Sequence, residues 1–140
     1  MLPIGESLDK IENDPAAREY LATALPIAKD AGDLLAEHFG GARTIELKGE
    51  INLVTEMDRR AEALIVERLA RAFPGFAIIA EEGSLATTRG EYVWYVDPLD
   101  GTTNYAHGLP VFCVSLGLWR HDTPVCGIIY HPLGGEMFTA

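Results

Sequence analysis

Residues 92–104 read YVWYVDPLDGTTN and combine an apolar run with two carboxylates and a glycine turn. The apolar residues predict a buried strand that stops at Asp97, with Asp100 three positions later. Carboxylate oxygens at the end of a strand are the ligands that hard divalent cations such as Mg²⁺ prefer. Gly101 and the two threonines after it predict a turn that opens a helix, whose free N–H groups suit a phosphate oxygen. The stretch therefore predicts metal-assisted phosphate chemistry.

Composition limits the classes of protein that this chain can represent. It has 140 residues, 48% of them hydrophobic, and a formal net charge of −10. This length is enough for one domain with a core, and the longest apolar runs are too short for a transmembrane helix. The negative charge disfavours nucleic acid as a ligand, and it requires bound cations if the substrate is a phosphate. We therefore expect a small phosphorylated substrate and neither a nucleic acid nor a membrane partner.

The chain ends and the cysteines carry further expectations. Residues 1–13 lack the basic and apolar regions of a signal peptide and predict a flexible arm before a domain over residues 14–140. Cys113 and Cys126 stand among apolar residues and predict two buried free thiols, which suits a reducing cytoplasm. The last strand begins at Met137 and stops without a polar cap, which indicates the front portion of a longer protein.

The first predicted helix covers residues 15–39. Asp14 offers an N-cap, and Pro15 occupies the position that favours proline at a helix start. Apolar residues then recur at helical spacing, and two glycines end the pattern. Pro26 is expected to kink this helix or to mark an earlier start.

The second predicted helix follows residues 45–54, which predict an extended pair or a mobile loop. Thr55 is the predicted N-cap, with Asp58 three positions on, as in a capping box. A proline-glycine pair at residues 74–75 ends the helix. Its buried face is predicted to consist of Leu64, Ile65, Leu69, Ala72 and Phe73.

The rest of the chain predicts strands. Short β-branched and aromatic runs alternate with turn residues, and His121 with Asp122 suits a hairpin connection. Two helices followed by closely spaced strands predict an α+β fold with an antiparallel sheet. The predicted strands cover residues 76–80, 91–96, 111–119 and 125–130, with another beginning at 137.

Acidic residues at the ends of several elements are candidates for a metal site. Glu81 and Glu82 directly follow an apolar strand, and Asp58 lies in the predicted first turn of the second helix. Three or four carboxylates can hold two Mg²⁺ ions about 3.5–4 Å apart, one activating a water and the other stabilising the leaving oxygen. The two aspartates of residues 92–104 could share such a pair, with the Leu99 carbonyl as another ligand.

Each candidate also has a purely structural interpretation. Asp97 before a proline is an ordinary turn opening, and Asp100 before a glycine is common in hairpins. Asp58 could be only a capping carboxylate, the glutamates a solvated loop and the threonines helix caps. Lys48 alone would be a surface lysine. His107 could line the cleft, whereas the other histidines are predicted to lie at turns or helix ends.

The order of these motifs resembles the inositol monophosphatase family, within the lithium-sensitive, Mg²⁺-dependent phosphatases that include fructose-1,6-bisphosphatase. The resemblance implies two N-terminal helices packed on a mainly antiparallel sheet, as the front half of a layered α-β-α-β-α fold. The matching stretches are Lys48 with NLVTEMDRRAE (52–62), AEEGS (80–84), YVDPLDGTTNYAHGLPVFCVSLGL (95–118) and GIIYHPLGGEMFTA (127–140).

The resemblance implies a set of metal ligands. Glu81 matches the metal-ligating glutamate, and Asp97 matches the aspartate that bridges two metals. The carbonyl of Leu99 matches a backbone ligand of the first metal, and Asp100 matches a ligand of the second. Glu82 matches a supporting position. Two or three Mg²⁺ ions per site are implied, with Mn²⁺ as a substitute and inhibition by Li⁺.

The resemblance also implies roles at the substrate and at the attacking water. The implied substrate-binding residues are Leu99, Asp100, Gly101 and Thr102, of which Gly101 and Thr102 match residues that contact the substrate phosphate. Thr102 with Asp58 matches the pair that supports the attacking water, and Thr103 is a supporting residue. Lys48 matches the lysine of a mobile loop near the site.

These matches imply a Mg²⁺-dependent phosphomonoester hydrolase of the inositol-1-monophosphatase type. A metal-activated water would attack phosphorus directly, without a covalent phosphoenzyme. Relatives that act on histidinol phosphate, 3′-phosphoadenosine 5′-phosphate or fructose bisphosphate share the metal motif, so the alcohol part of the substrate stays open. Relatives of this type are commonly cytoplasmic homodimers.

Two departures from the family pattern bear on activity. Family members are considerably longer, and their second half supplies a further metal-ligating aspartate after a tryptophan. Neither Trp94 nor Trp119 is followed by aspartate, so this chain alone is expected to have an incomplete, inactive site. His131 stands where many relatives carry an acid, which we interpret as a tolerated turn substitution.

Two rival functions follow from the same residues. A haloacid-dehalogenase-type phosphatase needs an aspartate two positions before Asp100, where this chain has Pro98. That rival is disfavoured, also because the alternating strand-helix pattern of its fold is missing. The alternative of another class is a non-catalytic, protein-binding role associated with transcription.

Overall fold

The computed structural model describes residues 14–40, 47–81, 85–87 and 90–140, and only the backbone of residues 47–53 and 85–87. The predicted arm lies outside these ranges. The elements are the helices α1 Pro15–His38, α2 Leu47–Ala72 and α3 Thr102–Ala106, and the strands β1 Ala77–Ala80, β2 Leu85–Thr87, β3 Tyr92–Asp100, β4 Cys113–Arg120, β5 Thr123–His131 and β6 Glu136–Thr139.

Helix α1 begins and ends where its sequence predicts. The Asp14 carboxylate accepts hydrogen bonds from the N–H groups of Ala16 and Ala17, at 3.0 and 3.3 Å, and thus caps the first turn. The helix continues through Pro26. Proline removes one helical hydrogen bond, but tertiary packing along the buried face of α1 compensates for that loss. Residues of that face are Ala17, Ala24, Ile27, Ala28, Ala31, Gly32 and Leu35.

Helix α2 begins earlier than predicted. Its start at Leu47 makes the extended or loop structure expected for residues 47–54 wrong, while residues 45–46 lie outside the described ranges. Thr55 is therefore inside the helix and is not its N-cap. The half-buried Val54 and the buried Met57 continue the apolar stripe towards the N-terminus at helical spacing, which outweighs the cost of about 1 kcal/mol for one helical glycine.

The predicted buried face of α2 is confirmed at three of its five positions. Ile65, Leu69 and Phe73 are buried, Leu64 is half-buried, and Ala72 is exposed. The prediction for Ala72 is wrong because this residue lies on the solvent side of the last turn.

Among the described residues, six strands form one sheet in the order β2-β1-β3-β4-β5-β6. Strands β1 and β3 are parallel, with Ala77 opposite Val93, and the other neighbouring pairs are antiparallel. The α+β class with a mainly antiparallel sheet is confirmed. The strand at residues 91–96 is longer than predicted, because β3 continues past Asp97 to Asp100 with an irregular register against β4.

The predicted hairpin between β4 and β5 is confirmed. His121, in its turn, has a φ of 52°, the left-handed backbone that tight hairpin turns use. A second hairpin joins β5 to β6, and Gly135 in its turn has a φ of 65°. The two hairpins lie at opposite ends of β5.

The core lies between the two long helices and one face of the sheet. Trp94, Leu116 and Ile128 are buried there against residues of α1 and α2. The hydroxyl of Tyr105 donates to the carbonyl of Leu35 at 2.8 Å, which anchors α3 to the end of α1. Residues of the opposite sheet face are partly or largely exposed: Ile79, Tyr95, Trp119, Ile129 and Phe138.

The prediction of two buried free thiols is confirmed for Cys126, whereas Cys113 is only partly buried. Both cysteines are free thiols. Over the described ranges, none of the helices is long and apolar enough to cross a membrane.

Candidate active site

The parallel pair of β1 and β3 brings two carboxylates to one edge of the sheet. Ala80 lies opposite Val96, so the next residues, Glu81 and Asp97, leave the paired region at the same end. The N–H of Glu81 donates to the carbonyl of Val96 at 3.1 Å, which extends the pairing by one bond. Their carboxyl groups are close enough to share a hydrogen bond.

The environment of Asp97 disfavours a bare negative charge. Burial is the largest influence that raises its pKa to about 7, followed by the hydrogen bond with Glu81 and the charges of Glu81 and Asp100. A backbone hydrogen bond from Leu99 acts in the opposite direction. Within the part of the chain that the structure describes, the buried Oδ1 of Asp97 has no hydrogen-bond partner. A cation at this oxygen would neutralise the charge of the carboxylate and would also give the unpaired oxygen a partner.

Asp100 has a thiol as its neighbour across the sheet. It pairs with Cys113 of β4, and the Cys113 thiol donates a weak hydrogen bond to Oδ2 of Asp100 at 3.7 Å. Burial, followed by the charge of Asp100, raises the pKa of Cys113 to about 11. Cys113 is therefore a protonated donor at neutral pH. No sequence motif marks Cys113 as a site residue, and its only signal is its place in the strand that follows the acidic motif.

Gly101 forms a turn that no other residue type fits well. Its φ is 95°, and a Cβ atom there would lie 2.8 Å from the carbonyl oxygen of Val111. Gly101 is also the N-cap of α3, without a side-chain capping bond. The interpretation of Thr102 and Thr103 as mere caps is therefore wrong. Both threonines are exposed in the first turn of α3.

The remaining predicted site residues lie on α2, at the end of α3 or outside the described ranges. Asp58 is buried well inside α2, so its interpretation as a capping carboxylate is wrong. The backbone of Lys48 is in the first turn of α2, and its side chain lies outside the described part. Glu82 also lies outside it. His107 is the exposed C-cap of α3. The structure thus brings together Glu81, Asp97 and Asp100.

The acidic residues border a shallow depression on the open face of the sheet. It has a volume of about 310 Å³ and is lined by Ile79, Glu81, Tyr95, Val96, Asp97, Ser115 and Gly117. An open depression of this kind leaves Glu81 and Asp97 accessible to ions and to small ligands.

Comparison with known proteins connects this arrangement to a family. Residues 16–140 match the model of the inositol monophosphatase family. The chain belongs to the inositol monophosphatase family. It is 42% identical over 127 residues to inositol monophosphatase 2 from Solanum lycopersicum, an alignment that covers 87% of this chain and 48% of that relative.

Solved structures of inositol monophosphatases and related proteins share the fold. The extragenic suppressor protein suhB from Bartonella henselae superposes with a TM-score of 0.76 at 34% identity, covering 87% of this chain and 48% of that one. Inositol monophosphatase from Anabaena gives a TM-score of 0.72 at 40% identity, covering 87% and 43%. The chain spans about half the length of the curated relatives it matches. The predicted family and fold class are confirmed.

Glu81 and Asp97 of this inositol monophosphatase family member offer carboxylate oxygens, the donor type that a hard cation prefers, but they do not form a closed cage. Across residues 14–40, 47–81, 85–87 and 90–140, no three His, Cys, Asp or Glu side chains surround a single point. Glu81 and Asp97 nevertheless present crowded carboxylate oxygens, and one oxygen of Asp97 is without a partner among the described residues. Mg²⁺ is held by one or two carboxylates with several waters, so this pair fits it.

Proposed function

We propose that this chain carries metal- and phosphate-binding residues of a Mg²⁺-dependent phosphomonoester hydrolase of the inositol-1-monophosphatase type. The observation that carries the proposal is the crowded Asp97, which lies beside Glu81, near Asp100, with a buried oxygen that lacks a described partner. The charges of Glu81 and Asp100 and the burial of Asp97 all raise the energy of the ionised Asp97 carboxylate. A bound divalent cation would compensate for their repulsion.

We propose that one set of residues binds the metal ions and that a second set binds the substrate phosphate. Glu81, Asp97, Asp100 and the carbonyl of Leu99 are proposed to hold one or two Mg²⁺ ions. Bound Mg²⁺ would lower the pKa of a coordinated water and neutralise charge on the phosphate. The N–H groups of Gly101 and Thr102, at the adjoining turn, would donate to phosphate oxygens.

The attacking water needs orientation as well as activation. We propose that the Thr102 hydroxyl and Asp58 orient it towards phosphorus, and that Lys48 offsets negative charge at the same site. Thr103 and Glu82 would support these groups. The alcohol part of the substrate stays open between inositol, histidinol, 3′-phosphoadenosine 5′-phosphate and fructose bisphosphate, since no described residue selects among them. Cytoplasmic location and a homodimer belong to the same proposal.

Metal binding can be tested directly on the 140-residue chain. Titration calorimetry with Mg²⁺ in metal-free buffer should give a binding isotherm that Asp97→Asn removes. Asp122→Asn is the matched control, because Asp122 is exposed in the β4–β5 turn. Equal Mg²⁺ affinity in wild type and Asp97→Asn would refute the ligand assignment.

Activity requires a second measurement. Phosphate release from inositol 1-phosphate and from the alternative phosphomonoesters should be measured with Mg²⁺ and again with a chelator. Mg²⁺-dependent release by this chain would support the whole proposal. Mg²⁺ binding without release would indicate that the site needs residues beyond these 140, and neither binding nor release would favour the protein-binding alternative.

A further inference from the structure

His131 connects the end of β5 to the segment that precedes β4. Its Nε2 lies 3.2 Å from the carbonyl oxygen of Pro110. A carbonyl can only accept a hydrogen bond, so Nε2 must carry the proton and donate it. The other ring nitrogen, Nδ1, lies 3.6 Å from Oε1 of Glu136, the residue opposite His131 in β6. The Nε2 bond to Pro110 is therefore the contact that sets the direction of the ring.

The turn between β5 and β6 is shaped to leave room for this ring. A Cβ atom on Gly134 would lie 2.7 Å from Nδ1 of His131 and 2.8 Å from Oε1 of Glu136. Both distances are shorter than a normal contact, so glycine at this position permits the observed ring orientation.

The segment that His131 contacts lies next to the turn at Gly101 and Thr102, which is the proposed phosphate-binding turn and is called the phosphate turn below. The side-chain amide of Asn104 donates to the carbonyl of Val111 at 2.9 Å, and that same carbonyl faces Gly101. The N–H of Leu109 donates to Asn104, and the N–H of Val111 donates to Leu109, both at 2.8 Å. Residues 109–111 thus form a platform for the turn.

We propose that His131 is a positioning residue for the phosphate turn at Gly101 and Thr102. Its bond to Pro110 holds residues 109–111 in place. These residues in turn hold the position of the turn at Gly101, which packs against the Val111 carbonyl. This inference rests on the proposed function for the claim that the turn binds phosphate, but the mechanical link is independent of it. It assigns a role to the histidine at the end of β5.

Two substitutions separate the hydrogen bond from the bulk of the side chain. His131→Ala removes the donor, whereas His131→Gln keeps an N–H at the place of Nε2. Hydrogen exchange of the Val111 amide should be about fivefold faster in His131→Ala, the effect of losing one hydrogen bond, and should return to wild type in His131→Gln. His121→Asn, at the opposite end of β5, is the control and should change nothing there.

Kinetics supply the readout that a merely structural role would not move. If the protein or its active assembly releases phosphate, His131→Ala should raise KM about fivefold with kcat and the Mg²⁺ dissociation constant nearly unchanged. His131→Gln should restore KM. A kcat loss without a KM change would overturn the positioning role.

The exchange experiment decides the link even without activity. Unchanged Val111 exchange in His131→Ala, or no rescue by His131→Gln, would overturn the inference whatever the enzyme assay shows. The expected exchange pattern in a chain that neither binds Mg²⁺ nor releases phosphate would sustain the mechanical link and count against the proposed function alone.

Discussion

Glu81 and Asp97 stand at the same end of the parallel β1–β3 pair, and their carboxyl groups are close enough to share a proton in a hydrogen bond. The two residues are far apart in the chain and become neighbours only because these strands run in the same direction. A proton or a cation between them would offset their repulsion. This relationship determines how the protein should respond to pH and to metal.

The metal-free protein should lose stability as the pH rises through about 7. The folded pKa of Asp97 is raised above its unfolded value, so its proton stabilises the fold at low pH and is lost as the pH passes the folded pKa. We expect a decrease of about 1–2 kcal/mol in the free energy of unfolding between pH 4.5 and 8, after allowance for solvent screening. Urea denaturation of wild type and Asp97→Asn at several pH values would measure this decrease. An equal dependence of the unfolding free energy on pH in both proteins would contradict the prediction.

Mg²⁺ should reverse this loss of stability. A cation that binds only the folded protein stabilises it in proportion to the logarithm of its concentration, by about 2.7 kcal/mol at a hundredfold excess over the dissociation constant. The thermal midpoint at pH 8 should therefore rise with Mg²⁺ in wild type and not in Glu81→Gln. Glu56→Gln, on the exposed side of α2, serves as the control. A rise of equal size in Glu81→Gln would exclude Glu81 as a ligand.

Gly101→Ala should destabilise the fold by about 2–3 kcal/mol. Part of this is the cost of a positive φ for alanine, about 1 kcal/mol, and the rest is the clash with the Val111 carbonyl. Gly135→Ala is the matched comparison, because Gly135 has a φ of 65° and open space around its Cβ position. Chemical denaturation should give the larger loss for Gly101→Ala, and equal losses would show that the clash is relieved.

Tyr105→Phe should cost about 1–2 kcal/mol. The substitution removes the 2.8 Å bond to the carbonyl of Leu35 while it keeps the buried ring against Phe39 and Phe112. Tyr95→Phe, on the exposed face of the sheet, should leave the unfolding midpoint unchanged. A neutral result for Tyr105→Phe would mean that water replaces the tyrosine hydroxyl at Leu35.

The site residues on β3 could be predicted because their signals are local. The apolar run before Asp97, the spacing to Asp100 and the glycine at 101 are all contained in one stretch of sequence. The structure confirms the strand and the helix that follow, but β3 continues to Asp100. The extended backbone at Asp97 depends on pairing with Ser115 of β4, and no local sequence pattern encodes this pairing.

The start of α2 shows the same limit in another way. The polar sequence around Gly49 favours a loop on propensity alone, and Thr55 has the chemistry of an N-cap. Propensities are weak, however, and burial of Met57 against the rest of the core extends the helix to Leu47. Tertiary packing therefore decided a boundary that local preference placed elsewhere.

The sequence by itself determined the helix start at Asp14, the order of the elements, the family and the acidic motif, since caps, periodicity and turn residues act between near neighbours. Only the tertiary structure decided that β1 and β3 are parallel, that Glu81 lies against Asp97, and that Cys113 donates to Asp100. These contacts join distant parts of the chain, and the burial that raises the pKa of Asp97 exists only after the sheet and helices have packed.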